Sequence, residues 1–171
     1  MALFGRDLAE QFAEARAVFQ EVDDALGEKL SDTMWNGPES DLTLTANAQP
    51  ALMAVSLATM RVIESRGLDL KASVAFVAGH SLGEYSALAA AGALSVADAA
   101  RLLRIRGDAM QKAVPVGEGA MAAILGLEMA DVEAVVKEAV QDGEVCTAAN
   151  DNANGQVVIS GTKAAVERAI P

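Results

Sequence analysis

The sequence predicts an α/β protein in two parts, and three observations carry the prediction. The apolar run Val74-Ala75-Phe76-Val77-Ala78 feeds into Gly79-His80-Ser81-Leu82-Gly83 and then into an Ala/Leu-rich stretch, the succession of a buried strand, a tight turn and a helix. Around it lie segments whose apolar residues recur at spacings of three and four, the period of helices that cover a sheet. Past residue 114 the pattern changes to short alternating elements in the order βαββα. The expected division is a core over residues 1–114 and a smaller βαββα unit over residues 115–171.

Each element follows from its residues. Over 6–26, Leu8, Phe12, Ala15, Phe19 and Val22 form one apolar stripe with acids opposite, a single amphipathic helix. Residues 32–45 contain Asn36-Gly37-Pro38 and read as a loop, with at most a helical turn around Met34 and Trp35, the latter a packing anchor. Residues 50–64 are continuous in helix formers, with Pro50 suited to a first turn and Gln49 placed either to cap that helix or to reach a site. A small-residue helix runs from Ser81 to Ala91 and is ended by Gly92. Ser95 and Asp98 resemble a capping box opening a helix to Lys112, with Leu102, Leu103 and Ile105 expected to face inward. After a linker at 114–119 come a strand at 120–127, a helix at 130–140, strands at 145–149 and 156–160, and a helix at 162–170. Asn154-Gly155 is a hairpin turn candidate, and one further strand would complete a ferredoxin-like split βαβ unit.

The turn at Ser81 is a nucleophile elbow. It forces the side chain out of the strand end, and Gly79 and Gly83, two residues to either side, are expected where a Cβ would collide with strand or helix. The hydroxyl sits over a helix N-terminus, where the Leu82 backbone N–H meets a developing oxyanion. A serine needs a base within hydrogen-bond reach, and the sequence holds one histidine, His80. Adjacent to Ser81 in the turn, it reads as a structural residue of the elbow with Gly79 and Gly83, not as the base.

Composition bounds the function. A formal net charge of -11 argues against nucleic acid, whose phosphates it would repel, and no basic stripe offsets it. A lone cysteine, Cys146, makes no internal disulfide, and no apolar run approaches membrane-spanning length. Met1-Ala2-Leu3-Phe4-Gly5-Arg6-Asp7 lacks the regions of a signal peptide, so a reducing cytoplasm is the expected compartment.

The segment Gly79-His80-Ser81-Leu82-Gly83-Glu84-Tyr85-Ser86-Ala87-Leu88 closely resembles the active-site segment of malonyl-CoA:acyl carrier protein transacylases. So do Asn47-Ala48-Gln49-Pro50-Ala51-Leu52, Arg106-Gly107-Asp108-Ala109-Met110-Gln111, and Gly117-Glu118-Gly119-Ala120-Met121-Ala122-Ala123-Ile124. The resemblance implies an α/β hydrolase-like core beside a ferredoxin-like subdomain, with malonyl-CoA and acyl carrier protein as partners and neither cofactor nor metal. It implies that Ser81 carries the malonyl group and that Arg106 grips the malonyl carboxylate with its planar fork. From the residues alone, Arg106 is one of three arginines on a helix with Arg101 and Arg104, and a solvated role stays open. Gln49 is a weak substrate-binding candidate. Glu84 belongs to the first turn of the elbow helix, Met110 and Met121 are core filler, and Arg61, Arg66 and Lys71 are candidates for a patch that meets an acidic carrier protein. The sequence departs from the family at Asp151 and Asn154, where an apolar or aromatic residue and a proline are usual.

The resemblance further implies that the N-terminal strand, the Gly-Gln-Gly loop with the second oxyanion donor, and the base histidine are absent from these 171 residues. The expectation is an incomplete chain, aggregation-prone or only marginally stable, that forms a slow Ser81 adduct without turning over. The alternatives are an acyltransferase domain of a polyketide or type I fatty acid synthase, a serine hydrolase, for which Arg106 would serve no purpose, and a noncatalytic folding unit.

Overall fold

The structure, a computed structural model, describes residues 5–115 and 117–170. Residues 1–4 of the N-terminal stretch, Val116 of the expected linker and Pro171 lie outside the described residues. The content is mixed helix and sheet, α/β in the coarse sense, and the chain divides into two units, Met1–Lys112 and Ala113–Pro171.

The first unit is helical. The single helix expected over 6–26 is two, α1 (Arg6–Gln11) and α2 (Ala13–Leu26), because Phe12 is extended at φ -126 and ψ 121. Arg16 meets the carbonyls freed at that break, its Nε donating to Ala9 O at 3.0 Å and its Nη2 to Glu10 O at 3.3 Å. α2 buries Ala15, Val18, Phe19 and Val22, and Phe19 meets Trp35 edge-on at 5.6 Å and 73°. The neighbouring buried carboxylate, Asp23, accepts from Ser31 N at 2.9 Å and Ser31 Oγ at 2.7 Å and so pins the following turn.

The loop expected over 32–45 is mostly helix: α3 (Leu30–Asn36) and α4 (Glu39–Thr43) flank a break confined to Gly37 and Pro38, and each buries an apolar residue, Met34 and Leu42. The next helix, α5 (Thr45–Ser65), begins five residues ahead of the expected Pro50, because Asn47 and Ala48 N–H groups already bond to Leu44 O. After α6 (Leu70–Ser73), capped by the Asp69 side chain, comes the segment predicted as a buried strand. Residues 74–80 are in no strand and are exposed, Phe76 to 92%. A buried strand needs hydrogen-bonded neighbours, and the described residues of this unit supply none.

α7 (Gly83–Ala90) and α8 (Val96–Ala113) complete the unit. Ser95 Oγ accepts from Asp98 N at 3.0 Å and donates to the Asp98 carboxylate at 2.7 Å, a reciprocal N-cap. Ser95→Ala is expected to cost about 1 kcal/mol, read as a lower melting temperature. The buried face of α8 is Val96, Ala99, Ala100, Leu103 and Gly107. Leu102 and Ile105, expected inside, are 41% and 65% exposed, since a helix that turns Leu103 inward carries both away from that face.

The second unit holds β1 (Gly119–Leu125), α9 (Met129–Ala139), β2 (Cys146–Ala153), β3 (Gln156–Thr162) and α10 (Lys163–Ala169). The sheet order is β1-β3-β2 with β3 antiparallel to both, so β1 and β2 run parallel around it, a split βαβ arrangement. Its core joins Ile124, Val157 and Ile159 to Val132, Val136, Ala165 and Val166 of the helices. The alternation that buries Ile124 turns Met121 outward, 62% exposed, so it is not core filler. Asn154 and Gly155 form the β2–β3 turn, positive φ falling on Gly155 alone, and β2 shifts register on either side of its Asn150–Asp151 pairs. Burial pushes the Cys146 thiol up from its ordinary range, a backbone hydrogen bond at Thr147 partly opposing it. Among the described residues no helix is long and apolar enough to cross a membrane, and no cluster of three or more His, Cys, Asp or Glu could hold a metal.

Candidate active site

Ser81 is held at φ 55, the one non-glycine residue with positive φ among the described residues. L-residues rarely adopt this conformation, which costs of order 1–3 kcal/mol and persists where the surrounding chain enforces it. Here the enforcement is the tight reversal at 79–85. Gly83, Glu84 and Tyr85 N–H groups bond to the carbonyls of His80 at 2.9 Å, Ser81 at 3.2 Å and Leu82 at 3.1 Å. A Cβ on Gly79 would lie 2.0 Å from both C and O of Gly83 and 2.4 Å from Glu84 N, so the chain passes over itself where only glycine fits. The expected collision at Gly83 is not found: a Cβ there meets nothing within 4 Å.

The turn leaves Ser81 and His80 exposed and Leu82 half-buried against the helical core. The Leu82 N–H precedes the first of the three turn bonds, at the positive end of α7. Glu84 stands in the first turn of that helix, where its charge suits the dipole.

α8 brings a cation to the serine. Arg106 Nη2 donates to Ser81 Oγ at 3.0 Å, and its Nη1 donates to Gln49 Oε1. The other two arginines of the helix are engaged elsewhere, Arg101 with Asp98 at 3.2 Å, and Arg104 with Asn47 Oδ1 at 2.6 Å and with Glu28. Gln49 does not cap a helix: it lies inside α5 and is 3% exposed. Its Nε2 donates to Thr45 Oγ1 at 2.8 Å and to Met110 Sδ at 3.3 Å. Met110, expected as filler, is 47% exposed and touches the site through this sulfur. Gly107 makes the arrangement possible, since a Cβ there would lie 2.6 Å from Ala46 Cα and 2.8 Å from Thr45 O. α8 therefore crosses the start of α5 at backbone contact, which carries Arg106 and Met110 onto Gln49.

Thr45, Gly107 and Met110 were not singled out for the site by sequence. The available signals were the i, i+4 spacing of Thr45 to Gln49 and of Arg106 to Met110. Of the expected basic patch, Arg61 is paired with Glu64 at 2.7 Å, Arg66 lies over the Phe12 ring at 5.2 Å, and Lys71 is exposed on α6. Chemically, the arrangement offers an exposed hydroxyl, a backbone donor beside it for an oxyanion, and a guanidinium within reach of a carboxylate on whatever the hydroxyl attacks.

The acyl transferase domain family matches residues 2–171. The malonyl CoA-acyl carrier protein transacylase of Bacillus subtilis (strain 168) is 47% identical over 165 residues, which cover 96% of this chain and 51% of the relative. That of Escherichia coli (strain K12) is 46% identical over 163 residues, 95% of this chain and 52% of the relative. Among solved structures, an acyl-carrier-protein S-malonyltransferase from Bartonella henselae is 61% identical with a TM-score of 0.91, covering 99% of this chain and 54% of that one. A malonyl-transacylase in complex with a type II PKS acyl-carrier protein is 44% identical with a TM-score of 0.87, covering 97% and 52%. The chain spans about half the length of the curated relatives it matches.

Proposed function

Because the chain belongs to the acyl transferase domain family, we propose that it carries the acyl-accepting serine and the carboxylate receptor of a malonyl-CoA:acyl carrier protein transacylase. The observation that carries this reading is the 3.0 Å hydrogen bond from Arg106 to Ser81 Oγ on a strained, exposed turn. Ser81 Oγ attacks the malonyl thioester carbonyl and gives up its proton to a base, while the Leu82 N–H holds the oxyanion. The carbon–sulfur bond to coenzyme A breaks, the thiolate takes a proton, and malonyl rests on Ser81 with its carboxylate on Arg106. The phosphopantetheine thiol of the carrier protein then attacks, restoring the hydroxyl.

The reading extends to the architecture and the setting. Given neighbouring strands to pair with, residues 74–78 would join the sheet of an α/β hydrolase-like core over 1–114, a fourth strand beside β1 would complete a ferredoxin-like subdomain over 115–171, and the enzyme works in the cytoplasm. Gly79, His80 and Gly83 shape the elbow. A role in polyketide synthesis is favoured as a second reading by the relative solved with a type II PKS carrier protein. A serine hydrolase of uncharged esters gains nothing from a guanidinium at its nucleophile.

Single-turnover acylation tests the assignment. Incubation with malonyl-CoA is expected to give one malonyl adduct by intact mass spectrometry, mapped to Ser81 and absent from Ser81→Ala. An adduct that survives Ser81→Ala, or maps elsewhere, overturns it.

A further inference from the structure

We propose that Gln49 is a positioning residue that aims Arg106 at Ser81 and so sets the preference for acyl groups bearing a carboxylate; this rests on Arg106 as the carboxylate receptor. Gln49 is 3% exposed, so it is sheltered from bulk solvent, and each end of its amide meets a partner. A guanidinium can only donate, so the atom facing Arg106 must be the amide oxygen. A thioether can only accept, so the atom facing Met110 Sδ at 3.3 Å must be the amide nitrogen. The Thr45 hydroxyl at 2.8 Å takes the second amide proton. Flipping the amide would set donor against donor at Arg106 and acceptor against acceptor at Met110. Two neighbours with one role each thus fix which way Gln49 points.

That orientation determines what Arg106 does. An arginine side chain has four rotatable bonds, and one end-on contact to a serine would hold it loosely. With Nη1 tied to a buried, non-rotating carbonyl, the planar fork is held and Nη2 is left directed at Ser81 Oγ. A carboxylate on the acyl group finds its donor already placed, and an acetyl group presents nothing for that donor. A glutamate at 49 would instead put a permanent carboxylate on Arg106, in competition with the substrate's own.

The test compares the wild-type chain with Gln49→Met, Gln49→Glu, Met110→Leu and Arg106→Ala. The first readout is nitrogen-15 NMR of the Arg106 guanidinium. Hindered rotation with resolved Nη signals is expected in the wild type, and averaging in Gln49→Met. The second is the ratio of single-turnover acylation rates with malonyl-CoA and acetyl-CoA, expected to fall about 10-fold to 100-fold in both Gln49 variants. Met110→Leu, a partly exposed position that tolerates substitution, should show a smaller fall because it removes only the acceptor that orients the amide. Unchanged Arg106 signals and an unchanged ratio in the Gln49 variants, with the ratio lost in Arg106→Ala, overturn the proposal and leave Arg106 as the receptor. Equal losses with both thioesters also overturn it, since they mark a merely structural glutamine. A ratio retained in Arg106→Ala removes the receptor reading and this proposal together.

Discussion

Gly79→Ala should reduce the rate of Ser81 acylation by at least about 100-fold and lower the melting temperature. The added Cβ would stand 2.0 Å from the carbonyl carbon and oxygen of Gly83 and 2.4 Å from Glu84 N, and all three are backbone atoms that no rotamer change removes. The reversal must open by more than an ångström. Overpacking of this kind costs about 1–3 kcal/mol, and displacement of a reacting group by about 1 Å costs about 10² in rate. Opening the turn also releases what holds Ser81 at φ 55, so the serine falls back to an ordinary conformation and loses its alignment with Arg106. Gly83→Ala supplies the contrast. Its Cβ meets nothing within 4 Å, and alanine is the better helix former. Acylation rates and melting curves of the two variants check the asymmetry, and equal damage from both would sink it.

Arg106→Ala should cost about 10² in the rate of acylation by malonyl-CoA relative to acetyl-CoA. The lost contact is a charge-assisted hydrogen bond in a half-buried position, a class that contributes about 1.5–3 kcal/mol, and the malonyl carboxylate is the feature that distinguishes the two acyl groups. Arg106→Lys should recover part of the preference, because an ammonium keeps the charge but cannot hold Gln49 and a carboxylate with the same planar fork. Competition between the two thioesters at equal concentration reads the ratio directly. Equal losses on both would make Arg106 a structural residue.

Local chemistry was legible in the sequence where neighbours in the chain decide it. The tight turn at Ser81, the Ser95–Asp98 cap and the βαββα order of the second unit each depend on residues within a few positions of one another. Where distant partners decide, the sequence pattern failed. Residues 74–78 have the composition of a buried strand, but burial depends on neighbours that the described residues of the first unit do not supply. Gly37-Pro38 marked a break correctly but not its extent, because the helices on either side are held by Met34 and Leu42 in the core rather than by local propensity. Arg106 could not be told from Arg101 and Arg104 by spacing, since what separates them is the ion pairing of the other two and a crossing at Gly107. A helix starting at Pro50 leaves Gln49 free either to cap it or to reach a site, and the actual start at Thr45 puts the same residue inside α5, bonded to Arg106 of α8.

The packing of Trp35 on Phe19 has a spectroscopic consequence. The sequence holds four phenylalanines, one tyrosine and one tryptophan, and all six precede residue 113. Indole fluorescence and near-ultraviolet dichroism therefore report on the helical unit alone, while the second unit contributes only to the amide bands. Following both signals through one thermal scan separates the two units without labels or truncation, and noncoincident curves would identify an unfolding transition that is not two-state.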